Sequence, residues 1–414
     1  MKNLIYSVAA LCLLFISCSE DPDDKLIEQC TTPTNIQISE INSETATITW
    51  EDNNTTATYA LEYGLSGFEL GFGEILETSE TTAILIGLEA NTSYDVYIQS
   101  VCLDNVSMQT EVTTFTTASP LVIPEFLPNL SDLNLFTENL NDLIPSDRAF
   151  IYNLNTTLFT DYAHKQRILA LPEGTSMEYV DDGFPIFPDN TVMAKTFYYF
   201  NNERDESEGK ILIETRLLIK KNGLWELGNY KWNAAQTDAV LDNTTSTVPI
   251  SYEDINGTTV SINYEIPSAQ QCIDCHNSSN VISPIGPRLR ALNGNNQLEE
   301  WISNNSLTGL SDPSQVTVLP DWEDAVNYSL EQRARAYFDM NCAHCHSEGG
   351  FCGDQSYLRL SYNTPLSESY IFEDRLNIDT RMSFYYQGVS MPLIGTTMMH
   401  PEGYDLISQY LDTL

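Results

Sequence analysis

The chain has 414 residues, 58 of them acidic and 19 basic, for a formal net charge of −39 at pH 7. Such a surface repels phosphate backbones and anionic headgroups, which excludes nucleic acid and acidic lipid surfaces as partners and suits steering of a basic one. The length predicts about three domains, and most of the acidic residues are expected simply to keep the surface solvated.

Residues 1–17 read as a signal peptide: Lys2, the apolar run Leu4 to Ile16, then Ser17 before Cys18. The run is too short to span a bilayer. Phe15-Ile16-Ser17-Cys18 resembles the lipobox of bacterial lipoproteins, with Phe where Leu is commoner. That resemblance implies an acylated Cys18 and a membrane anchor, each buried methylene contributing about 0.8 kcal/mol. A plain secretory peptide is the alternative. Residues 18–29 form an acidic tether, Ser19-Glu20-Asp21-Pro22-Asp23-Asp24 at its start. The tether resembles the export tags of Bacteroidota lipoproteins, which implies an outer-membrane lipoprotein on the cell surface or the periplasmic face.

Residues 30–118 read as the first folded unit. In Thr45-Ala46-Thr47-Ile48-Thr49-Trp50 the alternation puts Ala46, Ile48 and Trp50 on one strand face, and Tyr59, Leu61 and Tyr63 repeat it. Leu88, then Tyr94, Val96 and Ile98, give another inward series, and Thr114-Phe115-Thr116-Thr117 closes the segment. Together these resemble a fibronectin type III domain, which implies a seven-stranded β-sandwich. The resemblance also implies a Cys30–Cys102 disulfide, contributing about 4 kcal/mol by closing a long loop. It implies a spacer more than a binding site, since fold alone carries no function.

Residues 119–130, with Pro120, Pro124 and Pro128, read as an extended linker. A β-rich domain is predicted over 131–265. Ile211 to Lys220 and Leu224 to Trp232 flank Asn222-Gly223, a hairpin pattern. Val248 to Asp254 and Thr258 to Tyr264 flank Asn256-Gly257 in the same way. Residues 181–183 supply a turn before the aromatic strand Thr196 to Phe200. No metal or nucleophile motif stands out in this stretch.

Beyond Pro267 the periodicity turns helical: Leu289, Leu292, Leu298, Trp301 and Ile302 first, then Tyr328 to Met340, then Glu402 to Leu414. Two pentapeptides interrupt it, Cys272-Ile273-Asp274-Cys275-His276 and Cys342-Ala343-His344-Cys345-His346. Both are C-x-x-C-H, the spacing of c-type haem attachment. Two thiols three apart add across the vinyl groups of one haem, and the adjacent imidazole coordinates its iron. The expected cofactors are therefore two covalently bound c-type haems, held by Cys272, Cys275, Cys342 and Cys345 with His276 and His346 as iron ligands. The alternatives are zinc knuckles sharing one tetrahedral site, or a disulfide. Zinc has no need of a histidine after the second cysteine, yet one follows both times. With Cys12 in the signal peptide, Cys18 lipidated and four cysteines at haem, Cys30, Cys102 and Cys352 remain. Two of these can pair and one is odd.

Residues 329–414 resemble a small class I cytochrome c domain: a helix, the motif, Ser390-Met391-Pro392, and a closing helix. The resemblance implies Met391 as sixth ligand of the second iron, which raises its potential and closes it to substrate. A core role for Met391 is the alternative, and Met398, Met399 and His400 are competitors. Between Asn277 and Asp339 there is no Met or His, so the first haem, in segment 266–328, has no local sixth ligand. His164, Met177, Met193, Met340 and His344 are the candidates, and the position stays open.

From about 131 to the end, the chain resembles an uncharacterised family of exported di-haem cytochromes c. The resembling stretches are Asp161 to Arg167, Lys195 to Tyr199, Ile213 to Leu217, Trp232 to Asp238 and Gly286-Pro287-Arg288, with both motifs. The expected fold class is thus multidomain α+β: a fibronectin type III-like β-sandwich, a β-rich domain, then a helical cytochrome c-like region with two haem sites. The implied function is electron relay between a donor and an external or periplasmic acceptor, with a basic redox protein as partner and no catalytic residue. A di-haem peroxidase with a catalytic first haem is the second reading, and a surface adhesion lipoprotein the third. Cys18→Ser should release the chain into soluble fractions, checked by lipid labelling and fractionation. Recovery of the variant in membranes would rule out this anchor.

Overall fold

The Thr-apolar alternation around Trp50 forms a strand whose Ala46, Ile48 and Trp50 are all buried. The computed structural model describes residues 30–54, 57–103, 105–118, 124–137, 139–147 and 149–414. The signal peptide, Cys18 and the acidic tether lie outside the described residues. The chain divides into two compact units, Met1–Ser119 and Pro120–Leu414.

The first unit contains β1 (Thr34–Ser39), β2 (Thr45–Glu51), β3 (Thr58–Leu65), β4 (Glu74–Thr78), β5 (Thr82–Ile86), β6 (Ser93–Val101) and β7 (Thr113–Thr116). They form two antiparallel sheets, β1-β2-β5 and β4-β3-β6-β7. Inward residues of both sheets, Ile48 and Leu85 from one and Leu61, Val96 and Ile98 from the other, share one core. Trp50 meets Tyr59 edge-on with ring centroids 5.1 Å apart. The Tyr94 hydroxyl accepts the Glu89 amide at 2.9 Å, a tyrosine corner. Cys30 and Cys102 form a disulfide with their Cα atoms 5.9 Å apart.

The second unit begins with β8 (Ala149–Ile151), β9 (His164–Ala170), β10 (Met177–Glu178), β11 (Val192–Phe200), β12 (Lys210–Lys221), β13 (Leu224–Trp232) and β14 (Ala239–Leu241). The hairpin β15 (Ser246–Glu253) and β16 (Thr259–Ile266) follows, then α1 (Ala269–Cys275), β17 (Asn277–Ser278) and β18 (Val281–Ile282). After these come α2 (Leu289–Leu292), α3 (Gln297–Ser303) and β19 (Leu307–Thr308). The last elements are α4 (Leu330–Asn341), α5 (Leu366–Ser369), α6 (Ile371–Met382) and α7 (Pro401–Leu411).

Six strands build one antiparallel sheet in the order β14-β13-β12-β11-β9-β8. Its tightest connection is Asn222-Gly223, with φ of 50° and 79°, the positive values that a two-residue I′ turn demands. Residues along each strand alternate between faces. Ile168, Ala194, Leu217 and Tyr230 pack on Leu130 and Leu133, while Leu169 and Met193 pack on Leu289, Leu298 and Trp301. The stretch expected as a linker is therefore partly core: Phe126, Leu127 and Leu130 cover the sheet, and Leu130 donates to Ala239 at 2.8 Å. The apolar side chains of this stretch find a sheet face to bury against.

The helical segments pack into the same unit. Tyr337 and Phe338 of α4, Ile378 of α6 and Ile407 of α7 share one core, and Ala336 and Met340 meet Ala291 and Leu319 in another. Arg290 and Asp339 form a buried ion pair at 2.7 Å, joining α2 to α4. Among the described residues no helix is long and apolar enough to cross a membrane. Removing one partner of a buried pair leaves an uncompensated charge and costs about 3–5 kcal/mol. Asp339→Ala should therefore lower urea stability of the second unit by about that amount. The double change Arg290→Met with Asp339→Leu should cost less. Additive losses in that cycle would count against the ion pair.

Candidate functional site

Each C-x-x-C-H motif sits where a helix ends. α1 starts on a capping box, Ser268 accepting the Gln271 amide and Gln271 accepting the Ser268 amide, and runs through Cys272 to Cys275. The His276 amide then returns to the Cys272 carbonyl at 2.8 Å. α4 starts on the same device, Ser329 with Gln332, and is capped by Cys342. There the Cys345 and His346 amides return to the Cys342 carbonyl at 3.1 and 2.9 Å. The local fold thus draws each histidine back over the first cysteine of its own motif.

The tight connection between β17 and β18 brings the Ser283 carbonyl 2.8 Å from His276 Nδ1. That nitrogen donates, so Nε2 keeps its lone pair and the ring is oriented as a ligating histidine requires. Burial, reinforced by the charge of Lys195, pushes the His276 pKa down to about 3, so the ring is neutral at physiological pH. Burial and His344 also lower the pKa of His346. His346 Nδ1 and His344 Nδ1 are both buried without a hydrogen-bond partner.

The two motifs meet. Ligand atoms of Cys275, His344 and Cys345 all lie within 4.8 Å of one another. The hydrogen bond with Cys345 pulls the Cys275 thiol down to about 5 and pushes the Cys345 thiol up. A tetrahedral zinc site needs four donors, whereas this cluster takes one cysteine from each motif and leaves Cys272 and Cys342 outside it.

A cavity of about 630 Å³ opens beside the second motif, lined by Phe338, Cys342, Cys345, His346, Met382 and Met391. Its size falls within the roughly 300–1,000 Å³ of cofactor pockets. Met391, which the resemblance implies as a sixth ligand, lines this cavity. Met382, at the end of α6, lines the same wall and was not foreseen, because it carries no Met-Pro pattern. Met398 and Met399 do not line the cavity. His400 is stacked on Phe159 at 4.1 Å, and its Nδ1 lies 2.9 Å from the Tyr337 hydroxyl, so it is part of an aromatic core. Cys352 also lines the cavity as a free thiol, its amide donating to Cys345 O at 3.1 Å.

The first motif lies against the six-stranded sheet. Two voids of about 30 and 40 Å³ flank it, both lined by Cys272, His276, Lys195 and Arg216. Met193 lines one and His344 the other. Of the remaining sixth-ligand candidates, His164 is held by Glu203 at 2.9 Å, while Met177 and Met340 are buried in apolar cores. Sequence reading quoted Lys195, Glu214 and Arg216 only within stretches that resemble the di-haem family, and gave none of them a role at the site. Each lies in a strand whose pattern is ordinary, so only the sheet pairing brings them together. Glu214 is fully buried and accepts from Arg216 Nε at 3.0 Å, Asn229 at 2.7 Å and Tyr264 at 2.8 Å. Burial, with Arg167 and Arg216 nearby, pushes the Lys195 pKa down to about 7.

These residues fit a c-type haem. At the second motif two thiols, an imidazole and thioethers surround adequate space. At the first, the thiols and a proton-directed imidazole are in order and cations are at hand for carboxylates, although the flanking space is small.

A family model described as fibronectin type III domain matches residues 31–116. The first unit is accordingly a fibronectin type III-like β-sandwich, within a multidomain α+β chain whose second unit adds β-rich and α-rich regions. Among solved structures, a computer-based redesign of a β-sandwich protein is 25% identical over 22% of this chain and 98% of its own, with a TM-score of 0.20. A myokine structure is 17% identical over 22% and 99%, at 0.20. The FN5 domain of Drosophila Lar is 14% identical over 22% and 100%, at 0.19. No curated protein matches the chain.

The thiol pattern is testable on chain produced without haem attachment. The hydrogen bond with Cys345 holds the Cys275 thiol well below the usual thiol range, while burial raises Cys342 to about 12 and also raises Cys272. Iodoacetamide should therefore label Cys275 before the other motif cysteines, as read by peptide mass. Equal labelling of the four would remove the cross-motif contact.

Proposed function

We propose that the protein is an exported, membrane-anchored di-haem cytochrome c that relays electrons between a donor and an external or periplasmic acceptor. The observation that carries this reading is the contact between the motifs: Cys275 of one touches His344 and Cys345 of the other. Two attachment sites in contact within one body suit passage of electrons along the chain. A c-type haem supplies one-electron exchange at its iron. Cys272 and Cys275 would hold the first and Cys342 and Cys345 the second, with His276 and His346 as proximal ligands. Met391 would close the second iron, which suits relay over catalysis. In this reading residues 329–414 act as a class I cytochrome c-like region. Cys18 carries the lipid anchor, and the acidic surface selects a basic redox partner.

The enzyme reading keeps one supporting observation. Lys195 and Arg216 line the voids at the first motif, where no methionine or histidine is close in sequence. Polar groups beside an iron with an open position are what a peroxidase-like centre uses.

The exported holoprotein should gain the mass of two haems. Cys272→Ala with Cys275→Ala should remove one, and Cys342→Ala with Cys345→Ala the other. Met391→Ala should abolish the near-infrared methionine-to-iron band, and Met382→Ala should keep it. Electron exchange with a basic partner should slow as salt rises, because screening shortens the reach of the surface charge. Zinc without a Soret band would sink the haem reading. Saturable peroxide turnover lost with the first cysteine pair would replace relay by catalysis.

A further inference from the structure

The second unit gathers a group of basic side chains, Arg167 buried and Lys165, Lys195 and Arg216 half-buried, that its own carboxylates balance only in part. Lys165 and Arg167 lie on β9, Lys195 on β11 and Arg216 on β12, neighbouring strands of one sheet. In register, Arg167 pairs with Lys195, and Lys195 with Arg216. The row therefore crosses the sheet directly, with like charges on adjacent strands. Directly opposed like charges destabilise a sheet, and a buried charge is costly unless paired.

The compensation within the chain is partial. Glu214 takes Arg216, but Asn229 and Tyr264 also occupy its oxygens. Asp161 is held by the Thr397 amide and hydroxyl. Lys165 donates to the Ala163 carbonyl at 3.1 Å. Arg167 is 5% exposed, and its Nε is buried without an acceptor. Among the described residues the Lys195 side chain has no hydrogen bond or ion pair. In a chain of net charge −39, cations gathered away from the abundant carboxylates point to an anion brought from outside.

The place of that anion follows from the voids. Lys195 and Arg216 line both of them together with Cys272 and His276. We propose that Lys195 and Arg216, backed by Arg167, form a carboxylate-binding cradle at the first motif, which receives the propionates of the haem attached there or a free oxyanion of like charge. The proposal rests on the haem reading above. It assigns the β sheet a binding role and makes Lys195 a cofactor-contacting residue.

The test uses full-length holoprotein carrying Lys195→Met, with Lys195→Arg as the charge-retaining control. Lys195→Gln serves where Lys195→Met does not accumulate. The first haem is identified as the redox wave missing from the Cys272→Ala, Cys275→Ala variant. Removing the cation should lower that wave by about 59 mV, a tenfold change in a one-electron constant. The propionate bending band in the resonance Raman spectrum should shift with it, and Lys195→Arg should restore both. A free oxyanion in the cradle instead leaves the propionate band fixed. In that case sulfate, added to wild type at constant ionic strength, shifts the first wave saturably and does nothing in Lys195→Met. The absence of both a propionate shift and a sulfate response overturns the cradle. A wild-type mass lacking the haem at Cys272 and Cys275 rejects the haem reading itself, and the propionate source with it.

Discussion

The Arg290–Asp339 pair holds the second unit in register with itself. Both side chains are nearly removed from solvent, and their 2.7 Å contact tolerates little displacement, since each charge loses its water and has few substitutes. Asp339 also accepts the Tyr362 amide at 2.9 Å, and the Arg290 carbonyl accepts Leu319 at 2.7 Å. One ion pair thereby links the segment after the first motif, the helix leading into the second, and the loop beyond it. The same unit brings Cys275 to His344 and Cys345.

Charge is distributed in two opposite senses. The chain as a whole is strongly acidic, yet Lys195 and Arg216 line the voids at the first motif, and Arg167 pairs with Lys195 across the sheet. Field from a compact cationic group in a poorly solvated region is far less screened than that of surface carboxylates. The first motif therefore has basic side chains beside it inside an acidic molecule. The second lies beside a cavity whose wall is thiol, thioether and aromatic. Two chemically identical pentapeptides thus acquire different surroundings.

The loop that carries Met391 is fastened at its far end. Asp161 accepts the Thr397 amide at 2.9 Å, and Tyr162 donates to Glu402 at 2.7 Å. These contacts tie the chain between α6 and α7 to the turn before β9. The β-rich part of the unit therefore does more than cover one face of the helices: it supplies cations to one motif and anchors the methionine loop at the other.

What the sequence alone determined was local. Asn222-Gly223 specified its hairpin because few residues accept two positive φ values in succession. Alternation around Trp50 and Tyr94 marked the inward faces of the sandwich. The cysteine spacing declared a chemistry because three residues suffice to present it. What only the tertiary structure decided was which distant residues meet. Lys195 and Arg216 belong to two separate stretches with no shared role until antiparallel pairing sets them side by side. Met382 is an ordinary helical methionine until α6 turns it into the cavity, and the linker prolines hid three apolar side chains with a sheet to cover. Contacts of that kind are set by packing and register across long stretches of chain, and no short window of sequence records them.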